Sequence, residues 1–194
     1  SDGGAKVNSD IASGYTPEQD DVLKTLGLAV VAGQGVERLM STCLTFVLRD
    51  GPLVSEEQLE GILRRHSKAT LGQLLRILRE RVDLHPSFDE RFERFLEGRN
   101  IIAHRLFDVP GGLDLHSDDG RKNLKGFLLR FMDDGHSLSM IFLGLIRSWS
   151  QQVGIDLPTV DAHATQAMLH HVDENVIPHL STLLKEKTPV AGSD

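Results

Sequence analysis

The first quarter of the chain carries an apolar seam that leaves few alternatives to a helical fold. Small and apolar side chains recur along it at alternating steps of four and three residues. This period places them on one face of an α-helix and is typical of helices that pack in bundles. Thr16, Pro17 and Gln19 precede the seam as an N-cap, a first helical residue and a capping-box partner. We therefore predict a long first helix that ends near Arg49. Its seam comprises Val22, Leu26, Ala29, Gly33, Val36, Met40, Cys43 and Val47.

Helical periodicity continues along the rest of the chain, and the alternating patterns of β-strands are nearly absent. The clearest cluster of Gly, Pro and Asp, residues 108–121, predicts the main loop. The sequence therefore predicts an all-α bundle. Five further helices are predicted. One runs from a capping box at 55–58 to about Arg65, the next from a cap at Thr70 through "LGQLLRILRERV", and the next from a cap at Ser87 into the stretch 96–107. Another covers about 122–152, and the last runs from about Thr159 to Lys185 with a kink or break at Pro178.

Length and composition suit one compact domain. The chain has 194 residues, of which 40% are hydrophobic, enough for a core of ordinary size. We expect a disordered tail over residues 1–15, one helical-bundle domain over 16–187 and a frayed terminus over 188–194. The single cysteine, Cys43, excludes an intrachain disulfide and a cysteine metal cluster. Since no apolar run approaches the roughly 20 residues that span a bilayer, we expect a cytoplasmic protein without a membrane partner.

The charge of the chain is unevenly distributed. The formal net charge of −7 argues against a general nucleic-acid coat. Residues 61–105, however, hold ten Lys and Arg against six Asp and Glu. This local excess of positive charge favours focused binding of an anion. The alternative is a solvated helix face whose charges pair with one another.

The stretch "LEGRNIIAHRLF", residues 96–107, places polar side chains where the helical pattern calls for apolar ones. Arg99 interrupts the seam between Phe95 and Ile102, and His104 lies one turn after Asn100. Asn100 interrupts the neighbouring stripe, which comprises Phe92, Leu96, Ala103 and Phe107. One interpretation is a polar helix–helix contact, with Arg99 paired to a carboxylate such as Glu37. The other is a phosphate site, because arginine offers fixed donors and histidine can transfer a proton near neutral pH.

The histidines near the C-terminus offer a further alternative, a metalloenzyme. The densest group is His163, His170 and His171, with Asp173 nearby. His163 and His170 are seven residues apart, whereas spacings of three or four make a better pair of ligands. The Glu-x-x-His pairs of di-iron bundles do not occur in the sequence. We therefore interpret these residues as a solvated histidine face and predict no metal site.

The segment "RNIIAH", residues 99–104, resembles the Arg-x4–6-His signature of HEPN domains, including the polar residue that follows the arginine. The preceding "TLGQLLRIL" and the following "HRLF" also resemble that family, and the likeness covers roughly residues 17–152. Some family members have a Glu or Lys close before the arginine, where this chain has Glu97 and then Gly98. The resemblance implies a HEPN-like antiparallel helical bundle with long first and fourth helices, here with an extra C-terminal helix.

The resemblance also implies a function, a metal-independent endoribonuclease that needs no cofactor. Arg99 would hold the scissile phosphate, Asn100 would orient it or the histidine, and His104 would act as acid or base. We add Arg94 and Arg105 as substrate-binding residues. Attack by the ribose 2′-hydroxyl would leave a 2′,3′-cyclic phosphate. Two copies would share the cleft as a homodimer, in a defence or toxin–antitoxin setting with a nucleotidyltransferase-like antitoxin as a further partner.

The alternative from a different class is a non-catalytic HEPN-like dimeric module that binds nucleotide or RNA or mediates an interaction. The acidic net charge and the few aromatic residues, 5% of the chain, favour this module. The intact set of Arg99, Asn100 and His104 favours the enzyme. The sequence alone leaves both open.

Overall fold

The computed structural model describes residues 14–49, 57, 61–62, 64–66, 69–155 and 166–187. Most of the predicted N-terminal tail, the predicted C-terminal fray, most of the predicted capping box at 55–58 and the predicted start of the last helix lie outside these residues. Residues 57, 61–62 and 64–66 are helical, as predicted for that segment.

Six α-helices dominate the described part of the chain, so the prediction of an all-α bundle is confirmed. Short π and 3-10 turns extend or link them, and two three-residue strands form an antiparallel ladder with Asp83 opposite Lys185. The helices are α1 Pro17–Thr42, α2 Leu71–Arg81, α3 Pro86–His104, α4 Asp118–Val153, α5 Gln166–His171 and α6 Leu180–Leu183, and the strands are β1 Val82–Leu84 and β2 Leu184–Glu186. The turns are π-helical at Cys43–Val47 and Val172–Val176, and 3-10 at Leu106–Asp108 and Ile177–His179.

Side chains before the helices satisfy their first N–H groups, much as the sequence predicts. The Gln19 N–H donates to the Thr16 hydroxyl at 3.3 Å, and the Thr16 N–H donates in return to Gln19 Oε1 at 2.9 Å. Thr70 and Gln73 form the same capping box, at 3.3 and 2.8 Å. The cap of α3 is His85, not the predicted Ser87, because Pro86 takes the first helical position. Helix α4 begins at Asp118, four residues before its predicted start, because the Ser117 hydroxyl accepts from Gly120 N–H.

Contacts along the helices fix their directions. Helices α1 and α4 run side by side in the same direction, since Gly33 lies against Phe131 and Cys43 Sγ donates to the Phe142 carbonyl at 3.3 Å. Helix α3 is antiparallel to α4, because Phe88 contacts Phe142 whereas Phe95 contacts Phe131. The C-terminal turn of α3 therefore lies beside the middle of α1.

The predicted seam of α1 faces the core. Six of its eight members are buried and the other two, Leu26 and Val47, are half-buried. Phenylalanines of α3 and α4 fill the space opposite, mostly in edge-to-face contacts that each contribute about 0.5–1.5 kcal/mol beyond burial. This aromatic cluster positions the end of α3 against α1.

The C-terminal segment differs from the single helix predicted to reach Lys185. The predicted break is confirmed at Pro178, which lies in the 3-10 turn. Residues Leu184–Glu186 form β2 and pair with β1 instead of continuing the helix. The backbone leaves the helical conformation here because β1 offers hydrogen bonds that depend on the tertiary fold, which local sequence does not reveal.

Candidate functional site

Arg99 connects α1 to the end of α3. Its Nε donates to Glu37 Oε1 at 2.7 Å, and its Nη1 lies 3.2 Å from His104 Nε2. The two ion-paired side chains are 25% and 27% exposed, so the pair lies at the rim of the core. The polar helix–helix contact considered from the sequence is therefore present, and it includes the histidine of the motif.

Stability alone explains this arrangement poorly. Ion pairs near the protein surface contribute on the order of 1 kcal/mol or less, whereas an apolar side chain that completes a seam contributes about 1.5–3 kcal/mol. Arg99 therefore occupies its position at some cost to the bundle. Deviations of this kind are common where a side chain serves a function.

His104 is the last residue of α3 and is exposed. A guanidinium can only donate hydrogen bonds, so the contact with Arg99 makes Nε2 of His104 the acceptor. The ring in this contact is thus the neutral tautomer with its proton on Nδ1, an assignment that follows from hydrogen-bond geometry. A neutral imidazole at the surface can accept a proton from a bound molecule.

Asn100 is half-buried and lies one turn before His104 on α3. The two side chains leave the helix in similar directions, as the sequence predicts. Among the described residues, the hydrogen bonds of Arg99 lead to Glu37 and His104 and not to Asn100. The orienting role of Asn100 therefore stays a prediction that rests on the shared face.

Arg94 and Arg105 each contact a carboxylate and not the Arg99–His104 pair. Arg94 donates to Asp134 on α4 through Nη2 at 3.0 Å, and this hydrogen bond and the charge of Asp134 raise the pKa of Arg94. Arg105 donates to Glu97 at 2.7 Å. The expected role of these two arginines in binding substrate would require them to leave their carboxylates. Glu97, two residues before Arg99, is engaged by Arg105.

Carboxylates compensate much of the positive charge of residues 61–105. Two of them, Glu37 and Asp134, come from α1 and α4, outside the segment. Others lie within it, as where Arg79 contacts both Asp89 and Glu93. The alternative of paired charges on a helix face thus describes the charged side chains of this segment better than an open cationic surface does.

Phe107 is the residue near the motif that the sequence pattern misplaced. The pattern put it on a helical stripe with Phe92 and Leu96, but α3 ends at His104. Phe107 instead lies in the 3-10 turn Leu106–Asp108 with 81% of its surface exposed. The sequence does not mark this helix end directly, because the first Pro and Gly after His104 are Pro110 and Gly111, several residues further on.

His170 and His171 contact carboxylate and amide groups of their own segment, and His163 lies outside the described residues. His170 Nε2 lies 3.1 Å from Glu174, and Asn175 Nδ2 lies 3.3 Å from Nδ1 of His171. Asp173 forms a bidentate pair with Arg147 on α4, and the hydrogen bond from Arg147 lowers the pKa of Asp173. Within the described ranges, no three His, Cys, Asp or Glu side chains group closely enough to hold a metal ion. None of the helices in these ranges combines the length and apolar character that a bilayer crossing needs.

No profile of a known protein family, no curated protein and no solved structure matches this chain. The likeness of residues 99–104 to the HEPN signature therefore stays a prediction from the sequence. What the protein does has to be argued from the contacts of Arg99, His104 and their neighbours.

Proposed function

We propose that this protein is a HEPN-like, metal-independent endoribonuclease in which Arg99 and His104 act on one phosphodiester. The observation that carries the proposal is the 3.2 Å contact between Arg99 Nη1 and His104 Nε2 at the exposed end of α3. A guanidinium is suited to a phosphate, and a neutral imidazole beside it is suited to the adjacent 2′-hydroxyl. The two groups differ in chemistry and are close enough to contact the same ribose phosphate.

The proposed reaction uses only these side chains and solvent. When RNA binds, the ribose 2′-hydroxyl displaces Arg99 Nη1 from His104 Nε2. Arg99 then donates to a non-bridging phosphate oxygen, and Nε2 accepts the proton of the 2′-hydroxyl. The 2′-oxygen forms a bond to phosphorus, the bond to the 5′-oxygen breaks, and the leaving oxygen takes up a proton from solvent. The products are a 2′,3′-cyclic phosphate and a 5′-hydroxyl.

A homodimer belongs to this proposal, and an exposed face of α1 supports it. Leu28 and Val31 are 63% and 66% exposed on that face. Val30 is also exposed, but it lies about 160° around the helix from Leu28, on the side that carries Glu37. Large exposed apolar side chains grouped on one helix are typical of interaction surfaces. A Val31→Lys variant should then sediment as a monomer, while the unmodified chain sediments at twice its 21.5 kDa mass. Only the resemblance supports a nucleotidyltransferase-like antitoxin as a further partner.

The decisive experiment is RNA cleavage in the presence of EDTA, with analysis of the product ends. The purified protein should produce cyclic-phosphate ends, and Arg99→Ala and His104→Ala should abolish them. Arg130→Ala and His136→Ala are matched controls, because both residues are exposed on α4. Cleavage that chelation removes, or that His104→Ala retains, would contradict the proposal.

A second candidate function is a nucleotide- or RNA-binding module without catalysis, and the Arg99–Glu37 ion pair favours it. This pair compensates the charge that an enzyme would present to the phosphate. The module would bind single-stranded RNA without cutting it, and His104→Ala would bind as well as the unmodified chain. Binding by fluorescence anisotropy, measured beside the cleavage assay, distinguishes the two functions.

A further inference from the structure

We infer that Glu37 is a positioning residue for His104 and that it acts through Arg99. Glu37 lies on α1, far from the motif in sequence, and accepts from Arg99 Nε at 2.7 Å. The other side of the same guanidinium contacts His104 Nε2 at 3.2 Å. The catalytic consequence of this inference rests on the proposed ribonuclease function, but the geometric consequence does not.

The planarity of the guanidinium transmits the position of Glu37 to the histidine. The five N–H donors of arginine have a fixed geometry, so a hydrogen bond at Nε sets the plane of the group and the direction of Nη1. The carboxylate of Glu37 is held in turn by its place on α1, which packs along α4. A rigid helix thus determines where the Nη1 donor meets His104.

Within the described part of the chain, the neighbouring ion pairs show no such second contact. Arg94 and Arg105 donate to Asp134 and Glu97, and these pairs tie the helix surface together. Arg99 instead bridges a carboxylate and an imidazole. A simple tie between α1 and α3 would need only the carboxylate, so the contact with His104 is the feature that a structural role leaves unexplained.

The hydrogen-bonded bridge from Glu37 through Arg99 to His104 has two chemical consequences. It keeps the proton of the neutral His104 ring on Nδ1, so that Nε2 is the acceptor that a general base requires once the substrate hydroxyl displaces Arg99 Nη1. It also engages Nε and Nη1 of Arg99, so that, among the described residues, Nη2 remains to donate to an anion beside His104. Glu37 itself transfers no proton.

The first test reads the tautomer of His104 directly by NMR of ¹⁵N-labelled histidine, at a pH where the ring is neutral. The unmodified chain should show His104 with its proton on Nδ1. Glu37→Ala should shift the ring towards the Nε2–H form, whereas Glu37→Gln should largely keep the original form because its side-chain oxygen still accepts from Arg99 Nε. Glu93→Ala is the matched control, because it removes a 2.6 Å contact with Arg79 without touching Arg99 or the other proposed site residues.

The second test separates positioning from binding in the cleavage reaction. Glu37→Ala should lower kcat by about ten- to a hundred-fold, as misplaced catalytic groups do, with a smaller change in KM. Glu37→Gln should recover most of the loss, and Glu93→Ala should leave kcat unchanged. Equal midpoints of thermal unfolding in the two alanine variants would show that the lower kcat does not result from a loss of folded protein.

The outcomes distinguish this inference from the proposed function. An unchanged His104 tautomer in Glu37→Ala overturns the positioning role, whatever the enzyme does. A changed tautomer in a protein that cleaves no RNA keeps the positioning role and overturns the ribonuclease. Should Glu37→Ala fail to fold, Arg99→Met carries the test, because methionine keeps a side chain of similar length but has no hydrogen-bond donor, and it must give the same tautomer change.

Discussion

The rings of Phe95 and Phe131 stack face to face, with centroids 4.6 Å apart and an angle of 6° between their planes. A glycine lies against each ring. A Cβ at Gly135 would lie 2.8 Å from Phe95 Cε2, and a Cβ at Gly98 would lie 2.8 Å from Phe131 Cδ2. Helices α3 and α4 can approach this closely because neither position carries a side chain. Arg99 directly follows Gly98, so the same contact sets the position of the motif.

Alanine at either glycine should therefore destabilise the bundle. We expect Gly98→Ala and Gly135→Ala each to lower the free energy of unfolding by about 1–3 kcal/mol, because the stacked rings have to move. Alanine at Gly35, a helical position with open space around it, should instead raise stability by up to about 1 kcal/mol. Urea denaturation measures all three. A stabilising effect at Gly98 would show that α3 and α4 are less closely packed than described.

Removal of the motif side chains should leave the fold intact. Arg99→Ala and His104→Ala should each change the free energy of unfolding by about 1 kcal/mol or less, because one side chain is partly exposed and the other is exposed. Circular dichroism during thermal unfolding provides the measurement. A loss of several kcal/mol in either variant would indicate that the pair serves stability.

The buried His66 should make the protein less stable in mild acid. Its Nδ1 lies 2.7 Å from Thr45 Oγ1, and burial lowers its pKa, with the positive charges of Arg81 and Arg65 acting in the same direction. The unfolded chain then binds the proton more readily than the folded chain. The contribution of neutral His66 to the free energy of unfolding is therefore complete above the ordinary pKa of 6.5. It decreases as the pH falls from 6.5 towards the lower pKa that His66 has in the folded protein.

A non-titrating variant tests this origin of the pH dependence. His66→Asn can still hydrogen-bond to Thr45 but gains no proton, so its stability should vary less between about pH 7 and pH 5. The exposed His136→Asn is the control and should keep the dependence of the unmodified chain. The measurement is the denaturation midpoint of the unmodified chain and of the two variants at several pH values. If the midpoint changes equally with pH in all three proteins, His66 is excluded as the source of the pH dependence.

Cys43 should react with thiol reagents only when the protein unfolds. Its side chain is fully buried, its thiol donates to the Phe142 carbonyl, and burial raises its pKa well above the ordinary range. Thiolate formation and access are both suppressed in the folded state. Mass spectrometry after exposure to iodoacetamide should find native protein unmodified and unfolded protein alkylated once, since Cys43 is the single cysteine. A cysteine at the exposed Gln34, in a Cys43→Ala background, should react at once.

Features encoded by neighbouring residues were predictable from the sequence. The seam of α1, the capping boxes at Thr16 and Thr70 and the break at Pro178 all depend on residues within a few positions of one another. The pairing of Arg99 with Glu37 was also foreseeable, because an arginine in an apolar seam needs a carboxylate within reach. The further contact between Arg99 and His104 becomes predictable only when α3 is known to end at His104.

Features that depend on distant partners were not predictable. Strand β2 exists because Leu184 meets Leu84 of β1, and the local sequence of β2 gives no alternating pattern. The cluster of Gly and Asp before α4 concealed Ser117 as a helix cap, because the same residues are typical of loops. The exposure of Phe107 depends on where α3 ends, which periodicity alone does not determine.

The ladder between β1 and β2 has a consequence for the order of events during synthesis. Strand β1 directly precedes α3, whereas β2 follows α6, and a hydrogen bond from His85 N–H to the Leu183 carbonyl extends the ladder to the first turn of α3. Contacts between such distant segments form late, because chain entropy opposes them until the intervening segment is ordered. A nascent chain on the ribosome would therefore expose α3 before the anchor at its N-terminal end exists. Both ends of α3, the helix that carries Arg99, can therefore be held in place only after residue 186 has emerged from the ribosomal exit tunnel.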